Sequence, residues 1–135
     1  MLNNPHLKTL NFPVGIGKGV SPPIYIHPSA EKDLIAFLDR SGKRASFAAK
    51  YRSRLQFLLK HRQNAVCHKE WFEPLKGEHN TGWYSMRFNK SFGNLRILYR
   101  ITDDSIILLH AFQEKKKKTD YDKAMVTAQE RLKQI

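Results

Sequence analysis

The sequence predicts an α+β fold: an N-terminal helical hairpin packed on a small antiparallel β-sheet, closed by a C-terminal helix. Three observations point there. The stretch Trp83 to Phe112 reads as three consecutive strands separated by turn residues. Two segments ahead of it, and one behind, carry apolar residues at helical spacing instead. Strands grouped together, with helices grouped outside them, belong to the α+β class.

The strands are set by period and turn chemistry. Tyr84, Met86 and Phe88 alternate with Ser85, Arg87 and Asn89, the pattern of a half-buried strand. After a polar, glycine-containing turn at Asn89 to Asn94, the segment Leu95 to Thr102 alternates Leu95, Ile97, Tyr99 and Ile101 against Arg96, Leu98 and Arg100. Arg87 and Arg96 therefore fall on the polar phase of neighbouring strands. A tight turn, Thr102 to Ser105, leads to Ile106 to Phe112, an unbroken apolar run suited to a central strand buried on both faces. Upstream, Ile24 to Ile26 is a short β-prone run stopped by His27-Pro28.

The helices have their own signals. Ser29 offers an N-cap hydroxyl, Glu31 and Asp33 suit the positive first turn, and Ala30, Leu34, Phe37 and Leu38 make a stripe that ends at Ser41-Gly42. A second helix, Lys43 to Gln63, aligns Phe47, Tyr51, Leu55, Leu58 and Leu59, with Arg52 and Arg54 assigned to its basic faces. Asn64 to Gly82 mixes proline, glycine and polar residues without a period and reads as a loop. Thr119 to Asp122 resembles a capping box, and Ala124, Met125, Ala128, Leu132 and Ile135 give the closing helix its stripe.

Residues 1–23 hold four of the six prolines and three of the seven glycines, so they read as an irregular extension, and residues 24–135 as one domain. Gly15 to Gly19 has glycines but neither the spacing nor the helix of a phosphate-binding loop. The lone Cys67 excludes an internal disulfide and fits a reducing compartment. No apolar run approaches the roughly 20 residues that span a bilayer, and no signal-peptide pattern opens the chain. The expectation is a soluble cytoplasmic protein with no membrane partner.

Charge is the strongest global feature. With 24 Lys and Arg against 12 Asp and Glu, the net charge is +12. The cations are clustered: Ser41 to Lys69 contains no acid, and Lys115 to Lys118 is uninterrupted lysine. Such clustering favours a polyanion, and nucleic acid first. Cys67, His68 and His79 do not make a metal-ligand spacing, and no Gly-x-Ser-x-Gly elbow exists, so neither a metal, another cofactor nor a serine hydrolase is expected. What remains is a basic surface with carboxylates and phenols beside it. Metal-free RNA cleavage needs a base for the 2′-hydroxyl, an acid for the leaving oxygen, and cations around the phosphorane. Arg87 and Arg96 can hold such a phosphate.

Two patches carry a family resemblance. Glu73-Pro74-Leu75-Lys76 followed by Gly82 to Arg87 resembles the loop and strand of YoeB-type ribosome-dependent mRNA nucleases. Leu95 to Tyr99, then Leu108 to Phe112 with Lys115 to Lys118 and a final Ala-rich helix, resembles the HigB and phage-derived branch. Both belong to the RelE/ParE superfamily of type II toxin–antitoxin toxins. The resemblance implies a RelE-like fold and an endoribonuclease acting on mRNA at the ribosome. It also implies a cognate antitoxin as partner. By it, Arg96 matches the arginine that contacts the scissile phosphate and Glu73 the general base. Arg87 matches a basic position on the preceding strand, and Lys115 and Lys117 match basic residues after the last strand. Tyr121 resembles the tyrosine that stacks on substrate or assists proton transfer, the lysine run lowering its pKa. Lys117, Lys118, Lys76, His79, Arg52 and Arg54 complete the expected RNA contacts. The chain lacks the terminal His-Tyr pair of YoeB-like proteins, which leaves the general acid unassigned. His110, inside an apolar run, reads as buried, and His79 as the better-exposed histidine. Two alternatives stay open: a ParE-like inhibitor of DNA gyrase, and a non-catalytic RNA-binding or regulatory module.

Overall fold

A computed structural model describes residues 8–9, 24–103 and 105–135. Gly15 to Gly19 lies outside them. In chain order the elements are β1 (Lys8–Thr9), β2 (Ile24–Ile26), α1 (Pro28–Ser41), α2 (Arg44–His61), β3 (Phe72–Pro74), β4 (Trp83–Arg87), β5 (Leu95–Ile101), β6 (Ile106–Gln113) and α3 (Lys117–Lys133). Short 3-10 turns occupy Arg62–Cys67, Glu78–Asn80 and Lys90–Phe92. The α+β class and the order of helices and strands agree with the sequence reading.

The described strands form one sheet in the order β1-β2-β6-β5-β4-β3. Its apolar run puts β6 in the interior, between β2 and β5. The α1–α2 hairpin covers one face, where Phe47, Leu55 and Leu58 meet Phe72, Met86, Ile97 and Tyr99. Helix α3 covers the other, where Ala124, Met125 and Ala128 meet Trp83, Leu98, Ile107 and Leu109. Each fully buried Leu or Phe in these layers contributes about 1.5–3 kcal/mol. Tyr84 and Tyr99 are cross-strand partners with rings stacked at 5.4 Å.

Four details depart from the sequence reading. First, Lys8–Thr9, within the segment read as irregular, pairs antiparallel with β2. Second, β2 runs parallel to β6, so the sheet is mixed; all its other pairs are antiparallel. Third, the α1 N-cap is His27, not Ser29: its ring Nδ1 accepts the Ser29 N–H at 3.1 Å, and Pro28 takes the first helical position, where a missing N–H costs nothing. Fourth, the presumed loop contains β3. Three residues ending in proline leave too short a run to show a period, and Pro74 is tolerated because β3 is an edge strand.

Candidate active site

Alternation on β3, β4 and β5 decides which side chains face α3. Glu73 pairs with Ser85, and Arg87 with Arg96, so Glu73, Ser85, Arg87 and Arg96 share the sheet face that α3 covers. The polar phase is thus not open to solvent along its length. Leu98, on the same phase, is completely buried beneath α3.

Glu73 is held by the edge strand rather than by a loop. Its Oε2 lies 4.0 Å from Arg87 Nη1 and 3.8 Å from Lys117 Nζ, from the first turn of α3. Both contacts are long, so the carboxylate sits in a positive field with capacity for further hydrogen bonds. Glu73 lines a cavity of about 350 Å³ together with Lys76, Asn80, Lys117, Lys118 and Tyr121. Leu75 and Met125 supply apolar wall. Asn80 braces the rim by donating from Nδ2 to the Lys76 carbonyl at 2.6 Å.

Tyr121 projects from α3 onto the sheet, its hydroxyl 2.9 Å from Ser85 Oγ, with its ring edge-on to Phe112 at 5.1 Å. Burial raises its pKa; the Ser85 hydrogen bond and the Arg96 charge oppose this, while Glu73 and Glu114 add to it. The expected lowering by the lysine run is therefore overturned. Lys115 to Lys118 are exposed to water, which screens them, whereas the phenol is half-buried. Tyr121 is a protonated donor at neutral pH, not a base.

Arg96 is 5% exposed. Its Nε donates to Glu114 Oε1 at 2.7 Å, and its Nη1 to the carbonyls of Phe88 at 2.7 Å and Leu95 at 3.1 Å. Its guanidinium ties the β4–β5 turn to the end of β6. It reaches Tyr121 through its field, and it lines a second cavity of about 410 Å³ that Arg87 also lines.

The lysine run is shaped by Asp120. One carboxylate oxygen, Oδ2, accepts the backbone N–H of both Lys115 and Lys116 at 2.6 Å. These two bonds, Lys116 first, hold the Asp120 carboxyl below its usual range. The helix begins at Lys117, two residues ahead of the expected Thr119 start, and Asp120 reaches back from its first turn to accept the N–H groups of the N-cap Lys116 and of Lys115 before it. Lys117 and Lys118 are thereby aimed at the first cavity, while Lys115 is exposed at its approach.

Other expected contacts lie elsewhere. Arg54 is 6% exposed, in contrast to the expected RNA contact. Its spacing from Phe47, Tyr51 and Leu58 places it in the apolar stripe of α2. There its guanidinium packs on Phe88 at 4.3 Å and Trp71 at 4.8 Å, and Nε donates to the Arg87 carbonyl at 3.0 Å. Burial pulls its pKa down to about 10. Arg52 is exposed, but on the hairpin layer across the sheet from Glu73. His79 is exposed on its 3-10 turn and does not line the first cavity; its neighbour Asn80 does. His110 is largely buried, with Arg131 Nη1 at 3.1 Å and Asp33 Oδ2 at 3.3 Å. Burial lowers its pKa, Arg131 lowers it further, and Asp33 opposes them. Cys67 is a free, exposed thiol.

Ser85, Glu114 and Asp120 were not singled out as site residues by the sequence reading. The capping pattern carried a signal for Asp120; Ser85 and Glu114 act through partners 36 and 18 residues away and leave no local trace. Among the described residues, no three His, Cys, Asp or Glu side chains converge into a metal-binding group, and no helix is long and apolar enough to cross a membrane.

No curated protein and no solved structure matches the chain at a significant level. One family does: the sequence profile described as phage derived protein Gp49-like (DUF891) matches residues 45–133, from the first turn of α2 to the last residue of α3. That span includes Glu73, Arg87, Arg96, Tyr121 and the whole lysine run. The chain belongs to the Gp49-like family of phage-derived proteins, a RelE/ParE-like toxin family associated with toxin–antitoxin pairs.

Proposed function

We propose that this chain is a toxin whose activity is that of a ribosome-dependent mRNA endoribonuclease, with a cognate antitoxin as its protein partner. The observation that carries the reading is Glu73, a carboxylate between two loosely placed cations on the wall of a cavity shared with a phenol and lysines. In the reaction, Glu73 takes the proton of a ribose 2′-hydroxyl as that oxygen bonds to the adjacent phosphorus. The bond from phosphorus to the 5′-oxygen then breaks, leaving a 2′,3′-cyclic phosphate and a 5′-hydroxyl. Arg87 and Lys117 stand where charge builds on the phosphorane, so the step needs no metal to neutralise it. Tyr121, kept protonated by burial, supplies an O–H towards the leaving oxygen; even with a raised pKa it is a far stronger acid than the alcohol released. Arg96 supports this site from behind, by its field and by fixing the turn next to Arg87.

Antitoxin binding fits the same surface, since exposed lysines around an apolar-walled cavity suit an acidic or amphipathic segment. The test is cleavage of a defined mRNA in a purified translation system. Wild-type protein should cut only when ribosomes are present, and Glu73→Gln should slow cutting about 10²- to 10⁴-fold with its melting curve preserved. Intact mRNA after incubation with wild-type protein and translating ribosomes would sink the nuclease reading. Inhibition of DNA supercoiling in its place would support a ParE-like action, and RNA binding without either would leave a regulatory module.

A further inference from the structure

The first cavity does not account for all the cations at the end of the sheet. The second cavity, at the end of the sheet where β4 turns into β5, is lined by four of them, Lys69, Arg87, Lys90 and Arg96, against one acid, Glu70. Arg96 is pinned there by Glu114 and two carbonyls, its charge balanced by that carboxylate, so the cations left for a ligand are Lys69, Arg87 and Lys90. Asn94, also in the wall, adopts the left-handed conformation at φ 53°, one that asparagine tolerates better than most residues. Its carbonyl accepts the Glu114 N–H at 3.0 Å, which locks this turn to the end of β6. The only aromatic side chain in the wall, Phe88, is 1% exposed and offers no face on which a base could stack.

A cationic pocket without a stacking surface recognises phosphate rather than base. Arg87 joins it to the first cavity, because the same side chain lines this pocket and lies 4.0 Å from Glu73. We infer that the second cavity is a phosphate subsite for the nucleotide flanking the cleavage point, so that RNA runs from one cavity to the other across Arg87. The inference rests on the ribonuclease reading for the identity of the strand. Because the pocket contacts phosphate alone, it adds affinity without sequence preference.

The experiment measures binding rather than cleavage, using fluorescent, fully 2′-O-methylated RNA oligomers of two, three and four nucleotides, with the full chain. Lengthening the oligomer should tighten wild-type binding about tenfold at the step that fills the subsite. It should also steepen the salt dependence by about 0.7 per phosphate neutralised. Lys69 and Lys90 are exposed, so the double variant Lys69→Ala/Lys90→Ala should melt like wild type and lose that gain while binding the dinucleotide unchanged. An equal length gain in the double variant overturns the subsite. So does competition by a polyglutamate peptide that depends on the same two lysines, which would assign the pocket to an acidic protein segment. A length gain that persists in a wild-type protein unable to cut mRNA would remove the nuclease reading and keep the phosphate subsite. Failure of every oligomer to bind would overturn the subsite, while cleavage on ribosomes decides the nuclease reading by itself.

Discussion

Arg87 and Arg96 are cross-strand partners on the same face of the sheet, yet their surroundings differ. Arg96 is buried with Glu114 at 2.7 Å and two carbonyls, whereas Arg87 has about a third of its side chain exposed and its carboxylate at 4.0 Å. One guanidinium is committed to holding the end of the sheet together. The other keeps hydrogen-bonding capacity for something that arrives. A matched pair in the register thus divides into a structural cation and one left open to solvent, and burial makes the division.

The strongest way to break this comparison is to remove each arginine in turn. Arg96→Ala strands Glu114 in a largely buried position, and breaking such a pair costs about 3–5 kcal/mol. Because Glu114 keeps some solvent contact, the lower end is expected, a fall in Tm of roughly 10 °C by calorimetry. A Glu114→Ala second change should recover part of it. Arg87→Ala should leave Tm nearly unchanged and lower mRNA cleavage about 10²- to 10³-fold, the usual cost of losing one charge-stabilising donor. Equal losses of stability in the two variants would erase the distinction.

A smaller effect sharpens it. Tyr121→Phe removes the hydrogen bond to buried Ser85, which costs about 1 kcal/mol in urea unfolding. It should lower cleavage more than that stability loss accounts for. The smallest effect belongs to Asp120. Its carboxyl titrates lower in the folded chain than in the unfolded one, so the ordering it gives the lysine run is complete above its ordinary value of 3.8 and fades as pH falls through the lower folded value. The protection of the Lys115 and Lys116 amides, their exchange measured against the intrinsic rate at the same pH, should therefore be high at neutral pH and fall on acidification. In Asp120→Ala it should be low at every pH.

The sequence was most informative where local period decided structure. The strand at Ile106 to Phe112, the apolar stripes of the helices and the glycine stop at Gly42 all follow from nearest-neighbour patterns. Gly42 does adopt φ 67°, the conformation that ends α1. Reasoning failed where a distant partner decided. Arg54 looked like any exposed cation until Trp71 and Phe88 closed over it. Arg96 looked exposed because alternation reports the face of a strand, but not whether a helix from the far end of the chain covers that face. Glu73 was legible as a candidate base, but its edge strand was too short to register. The second cavity was invisible because its cations come from three separate segments, the approach to β3, β4 with the turn after it, and β5, that meet only through strand pairing.

The parallel pairing of β2 with β6 has a consequence for timing. Ile24 meets Ile106, so the centre of the sheet cannot close until the chain has been made as far as β6. Pairings between such distant residues form slowly, since the intervening loop must be organised first. The wall carrying Glu73 and the helix carrying Tyr121, which follows β6, therefore come together late in folding. A nascent chain therefore lacks the complete first cavity, whose walls come from β3 and from α3, until α3 has emerged and docked.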